Sequence, residues 1–383
     1  MKHIALVTSF FSTPYHSNRA PYNEQLFLSL NQLFSIEIIR PIAWTDLLGY
    51  RFRGGAKVVL PELWNGIHIQ YPTYFFVPRV GHRFNGNFYS YSIAPSLSRI
   101  RTKPDVVYTT WAFPDAYASM LYAKKLKVPL VVRLHGGDIN VVSKLPGVLP
   151  KILEVLDYAS LVVCPSYALK AEVVGLGGAE HKIEVLYSGI DTDKFFPRKK
   201  EECCAALGLE SGTKRIIYVG NFKREKGVND LVEAASLLRS LREDFEVLLV
   251  GKGKEDRNLA KEITRHSLEK HVKLIGELSH DQLGLWMGAS DTLCLPSYSE
   301  GMPNVVLEAL SSDINVVATN VGGIPEAFVS PHECLVEPGD IDGLALKLQQ
   351  SLFEPNFHTK SAVDIQSYDS LANTIRQKIE AFF

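Results

Sequence analysis

At 383 residues the chain is long enough for two domains of ordinary size, each with its own core. Its 41 Lys and Arg stand against 42 Asp and Glu, so no global field draws it to nucleic acid. The five cysteines, Cys164, Cys203, Cys204, Cys294 and Cys334, lack zinc-ligand spacing and fit a reducing compartment.

The opening run MKHIALVTSFF is too short for a signal peptide's apolar core and cleavage region, and no segment reaches the roughly 18 apolar residues of a spanning helix. A cytoplasmic protein is expected, with peripheral attachment to a membrane face left open. His3 to Ser9 predicts a buried strand and Tyr22 to Phe34 a helix, the start of a Rossmann unit. The loop between them, SFFSTPYHSNRAP, has no glycine, which excludes the G-x-G-x-x-G fingerprint of a dinucleotide dehydrogenase.

From Tyr50 to Lys103 acids are scarce, and Arg51, Arg53, Lys57, Arg79, Arg83, Arg99, Arg101 and Lys103 interleave with eleven aromatics between Tyr50 and Tyr91. Two readings stand. The aromatics fill core and the bases are solvated, or the segment is a basic, aromatic rim that receives an anionic lipid or polysaccharide acceptor. Nucleic acid is disfavoured because no helix-turn-helix or RNA-binding signature accompanies the patch. Next come strands at Asp105 to Thr109 and Pro129 to Leu134, flanking a helix from Asp115 to Leu126. The second strand ends in Arg133-Leu134-His135-Gly136-Gly137-Asp138, where two glycines expose the backbone beside a strand-end histidine and make His135 a site candidate. Further strands follow at Ser160 to Cys164 and Ile183 to Tyr187. Asp191 and Asp193 then have the spacing of a metal-binding D-x-D.

Pro197 to about Gly212 is polar and charged and reads as a linker. A second Rossmann unit begins with a strand at Arg215 to Val219, a loop at Gly220 to Gly227 and an amphipathic helix at Val228 to Leu241. Lys226 can reach a diphosphate as a flexible point charge, while Gly227 lets backbone approach. Strands are expected at Phe245 to Gly253 and in the segment Val272 to Leu278. The most informative run is Ala289 to Phe328. It reads as a strand (Asp291 to Leu295), a Pro-Ser-Tyr-Ser loop, a helix opening near Gly301 with Pro303 at its first position, a strand (Asn315 to Thr319), and a Gly-Gly-Ile-Pro helix start. Glu300 lies just past a strand's carboxyl end, where open α/β sheets bind ligands. The unpaired amides of Gly301 to Asn304 mark a helix mouth that favours anions. Glu308 lies roughly 7 Å further along at 1.5 Å per residue, and a carboxylate suits a ribose diol because it accepts from two hydroxyls. On this helix Asn304 and Glu308 share a face, with Val306, Leu307 and Leu310 turned to the sheet. A tail from Ser370 to Phe383 has helical spacing.

Glu-x7-Glu inside SYSEGMPNVVLEA, followed by VVATNVGGIPE, resembles the donor site of glycosyltransferase family 4, whose members are retaining enzymes of the two-Rossmann-domain GT-B fold. The resemblance implies an α/β chain with an acceptor-side domain at 1–198, to which the tail 368–383 returns, and a donor-binding domain at 199–367, the two facing a cleft. It places Glu300 by the donor sugar, Glu308 on the ribose, and Gly301, Met302, Pro303 and Asn304 along sugar and phosphate. RLHGGD resembles the family's T-x-H-G-x-D, whose histidine faces the donor sugar, so His135 joins Glu300 and Lys226 as the catalytic set. GNFKREKG resembles G-R-L-x-x-E-K-G, in which Arg and Lys neutralise the leaving diphosphate; Lys226 matches, while Asn221 holds the Arg position and Lys223 or Arg224 is left to supply a second charge. Val272 to Leu278, with Gly276 and Leu278, resembles the segment whose backbone reads the nucleobase. SGIDTDKF resembles N-G-V-D-x-x-x-F, with Ser188 for Asn, and belongs to a family without a metal requirement. Three departures stand out. The first loop has no glycine, which leaves Asn18 or Arg19 as substitutes; Asn221 replaces Arg; and Asp313-Ile314-Asn315 replaces Gly-x-Pro.

The implied activity is metal-free, cofactor-free transfer of a sugar from a nucleoside diphosphate sugar to a hydroxyl of a glycan or lipid-linked acceptor, in cell-surface polysaccharide or glycolipid assembly. Two other readings compete. A nucleotide-sugar epimerase shares the architecture, since fold does not fix function, and a two-lobed sugar-binding module would need no phosphate-directed lysine.

Overall fold

Short Val, Ile and Leu runs become strands wherever both faces can be covered by helices. The computed structural model describes residues 1–13, 15, 20–52, 60–78 and 81–383. Asn18, Arg19, Arg53, Lys57 and Arg79, named above, lie outside the described residues, as does the side chain of Arg51. The chain divides into two units, Met1–Gly189 with Ser367–Phe383, and Ile190–Gln366.

The first unit holds β1 (His3–Val7), β2 (Ser35–Ile39), β3 (Ile42–Ala43), β4 (Leu63–Trp64), β5 (Ile67–Gln70), β6 (Thr73–Tyr74), β7 (Val106–Thr110), β8 (Leu130–Arg133), β9 (Leu161–Cys164) and β10 (Ile183–Val185). Eight of them form a sheet in the order β10-β9-β8-β7-β1-β2-β5-β4, parallel except at β4–β5, and β3 pairs with β6. Side chains alternate between faces. Ala5, Val107, Val132 and Val162 pack with the helices Asp115–Leu126 and Leu149–Tyr158, through Met120, Ile152 and Val155. Their neighbours Ile4, Leu6, Tyr108, Val131 and Val163 pack with Pro21–Leu33 and Tyr368–Glu380, through Leu26, Phe27, Leu371 and Ile375.

The second unit holds β11 (Lys214–Val219), β12 (Phe245–Val250), β13 (Val272–Gly276), β14 (Thr292–Leu295), β15 (Asn315–Thr319) and β16 (Leu335–Val336), all parallel in the order β13-β12-β11-β14-β15-β16. The fold class is therefore α/β with two doubly wound, Rossmann-like sheets.

Two expectations need correction. The first unit ends at Gly189 rather than 198, because the segment after it is fastened to the second unit. Lys194 pairs with Asp281 at 2.7 Å, the Phe195 carbonyl accepts from Ser311 Oγ at 2.8 Å, and Ile190 N–H donates to Gln366 O at 2.9 Å. The expected linker contains a helix, Lys200–Leu207, whose Cys203 and Cys204 are buried against Ala289. Glu201 and Glu202 face water, Lys200 pairs with Asp291 at 2.6 Å, and Gly208 ends the helix in the left-handed conformation at φ 67°.

Candidate functional site

In the second unit β11 and β14 are neighbours, with Ile216 opposite Thr292 and Ile217 opposite Leu293. The chain leaves them in opposite directions, to β12 and to β15. Strand order reverses there, which opens a crevice at the carboxyl ends between two loops. The loop after β11 carries Lys226; the loop after β14 carries Glu300.

Backbone laces these loops together. Tyr298 N–H donates to Glu225 O at 2.9 Å, and Gly227, at φ 63°, lies so close under the Pro296 carbonyl that a side chain there would overlap it. Lys226 Nζ consequently sits 2.7 Å from Glu300 Oε1, and the same oxygen accepts from Ser297 Oγ at 2.7 Å. Below them Gly323 N–H donates to Gly301 O at 2.7 Å, while Gly322, at φ 54°, leaves no room for a side chain beside the Glu300 carbonyl. Burial, then the charge of Glu300, holds the Tyr218 hydroxyl above its ordinary range.

The helix after this loop runs Asn304–Ser311. Pro303 is its cap, extended at φ -75° and ψ 124°, and not its first residue as expected. Proline has no amide to give, so the mouth is formed by the amides of Gly301, Met302 and Asn304, which carry no hydrogen bond among the described residues. Val306 and Leu307 are buried as expected, but Glu308 is buried with them at 4% exposure and Leu310 is only half-buried. The carboxylate is tolerated there because His280 Nε2 lies 3.2 Å from Glu308 Oε1. Asp313, which stands where the family pattern read from the sequence has glycine, takes the left-handed conformation at φ 57°.

The remaining candidates are less engaged. Asn221 is exposed and uses its carbonyl, which accepts from the Tyr218 hydroxyl at 3.1 Å. Arg224 is exposed in the same short turn as Lys226, and Lys223 pairs with Glu225 at 3.7 Å. Gly276 closes β13 at φ 86°, and Leu278 beyond it is half-buried. Asp191 is paired with Lys194 at 3.1 Å, and among the described residues no three acidic, histidine or cysteine groups gather as a metal site.

His135 belongs to the other unit, just past β8. Its ring lies among Phe10 (6.1 Å), Tyr22 (5.5 Å) and Trp111 (6.2 Å), and its Nε2 is buried without a partner among the described residues. Burial, then the Arg133 charge, pushes its pKa down to about 3, so it is neutral at physiological pH. The Asp138 carboxylate beneath accepts from the amides of Ala112 (3.1 Å) and His135 (3.2 Å), and burial raises it to about 6.

Sequence reasoning missed His280, Ser297 and the Tyr298 hydroxyl, which donates to Asp230 at 2.8 Å. Ser297 was legible as the first residue of the SYSEGMPNVVLEA run. His280 was not, because its partner is 28 residues away.

Comparison with known proteins follows the two units. Residues 199–368 match the model described as Glycosyl transferases group 1, and 54–194 match Glycosyltransferase Family 4. The chain is 30% identical, over 73% of its length and 67% of that protein, to TuaC of Bacillus subtilis, a glycosyltransferase provisionally assigned to teichuronic acid biosynthesis. It is 27% identical, over 70% of its length and 71% of that protein, to the N-acetyl-alpha-D-glucosaminyl L-malate synthase of Bacillus anthracis. Among solved structures it is similar to Anabaena HepE in complex with UDP, with a TM-score of 0.72, 18% identity and coverage of 100% of this chain and 98% of that one.

Proposed function

The chain belongs to glycosyltransferase family 4 and has the GT-B fold, and from that premise we propose that it moves a sugar from a nucleoside diphosphate sugar to an acceptor hydroxyl with retention. One observation carries the proposal: a lysine, a strand-end carboxylate and an unpaired helix mouth meet at one switch point, with Lys226 Nζ 2.7 Å from Glu300. Lys226 and the amides of Gly301, Met302 and Asn304 oppose the charge that builds on the leaving diphosphate. Glu300 orients the sugar hydroxyls, and Glu308 accepts from the ribose. The departing phosphate oxygen takes the acceptor's proton, so no separate base is required. Neutral His135, in the first unit, does not act as a base.

Thermal-shift screening against UDP, GDP and ADP sugars tests the donor class, because a ligand of the folded state raises Tm. Stabilisation by none of them would count against the proposal. A new sugar nucleotide formed without acceptor would favour an epimerase instead. The diphosphate charge is met by protein groups, so transfer is expected to keep more than half its rate after exhaustive EDTA treatment; loss restored by added Mg²⁺ or Mn²⁺ would sink the metal-free reading.

We also infer that the first unit meets a lipid-linked acceptor at the cytoplasmic face of an anionic membrane. No aspartate or glutamate occurs between Leu63 and Pro104. The helix His82–Leu97 buries Tyr89 and Ile93 and turns Phe84, Phe88 and Tyr91 outward at 47%, 42% and 78% exposure. Arg83 lies over Phe84, and Phe75, at 59% exposure, stacks on Trp44. Among the described residues no helix is long and apolar enough to cross a membrane. Replacing Phe84, Phe88 and Tyr91 together by Ser is expected to lower partition onto phosphatidylglycerol vesicles about tenfold or more. Unchanged sedimentation with vesicles would refute this surface.

A further inference from the structure

Glu308 poses a question that its proposed role does not answer. A carboxylate that is 5% exposed at the side chain must be fixed before ligand arrives, since a ribose diol is matched by one orientation only. Of its two oxygens, Oε1 meets His280 Nε2 at 3.2 Å, and Oε2 has no partner among the described residues. With the carboxylate oxygen as acceptor, Nε2 is the donor of this pair.

His280 is itself fixed by its helix start and by an aromatic neighbour. It is the first residue of the helix His280–Gly288, whose cap Ser279 is locked by a reciprocal pair of hydrogen bonds with Gln282. The fully buried Phe195 ring stands edge-on to the imidazole at 5.0 Å and 75°. The Phe195 carbonyl accepts from Ser311 Oγ at 2.8 Å, and Ser311 lies on the helix that carries Glu308. The circuit from His280 through Glu308, Ser311 and Phe195 back to His280 is closed. His280 also follows Leu278 by two residues, so the edge of the segment assigned to the nucleobase and the ribose carboxylate share one anchor.

We infer that His280 is the positioning residue that holds one oxygen of Glu308 and leaves the other to read the ribose hydroxyls, an inference that rests on the role of Glu308 proposed above. A donor placed behind the acceptor sets its direction without touching the ligand.

The test is calorimetry on the full chain with UDP, GDP and ADP, followed by the tightest of them against its 2′-deoxy form. The wild type is expected to favour the ribonucleotide by about tenfold or more. His280→Ala should bring that preference below about threefold by weakening the ribonucleotide alone. His280→Gln, whose amide nitrogen reaches where Nε2 stood, should restore it; His280→Asn, whose nitrogen falls short, should not. A merely structural histidine would change Tm and both affinities together. If His280→Ala and His280→Asn keep the wild-type preference while Glu308→Gln loses it, the inference is overturned and the role of Glu308 survives. If Glu308→Gln keeps it as well, that role falls and the inference falls with it.

Discussion

Lys226→Ala is expected to lower kcat/KM for transfer at least about tenfold, equivalent to ~1.4 kcal/mol of barrier, without unfolding the protein. The side chain is 27% exposed and ends 2.7 Å from Glu300, so removal deletes a charge-assisted bond and the cation facing the leaving group. Glu300→Gln should lose as much, because Gln keeps the shape of Glu300 but cannot hold the ammonium as strongly. The two groups share a contact, so the double variant should lose less than the sum of the singles. Wild-type kcat/KM in both single variants would remove the basis of the site.

Gly227→Ala should be the most damaging small change. The position is left-handed at φ 63°, and a methyl group there would overlap the Pro296 carbonyl oxygen, which is backbone and cannot rotate away. Strain and overpacking together amount to about 2–4 kcal/mol. Relief requires the two loops to part, which pulls Lys226 from Glu300. The expected result is a lower Tm together with at least about tenfold slower transfer. A variant with wild-type Tm and rate would show that the loops are not clamped at this point.

Much of this was legible in the sequence, for identifiable reasons. Central strands such as Asn315–Thr319 are apolar on both faces and bounded by turn residues, and the helix Val228–Leu241 has a clean amphipathic period. The Lys226, Glu300 and Glu308 motif was readable because its spacing lies within two loops and one helix. What escaped depends on partners distant in sequence. The burial of Glu308 follows from His280, which alone reads as a solvated helix-end residue. The helix Lys200–Leu207 was hidden by its charged face, since only the paired cysteines mark the buried side. Pro95 obscured the helix His82–Leu97, because a proline inside a helix has no amide to donate to the carbonyl four residues before it.

The helix Tyr368–Glu380 buries Leu371, Ala372, Ile375 and Ile379 completely, against a sheet that begins at His3. During synthesis the part of that sheet face left free by the helix Pro21–Leu33 therefore stays open until Tyr368–Glu380 emerges, by which time the intervening unit has been made. The unit Ile190–Gln366 would close before the unit that flanks it, and sequence errors in Tyr368–Glu380 would register as misfolding of residues made long before it.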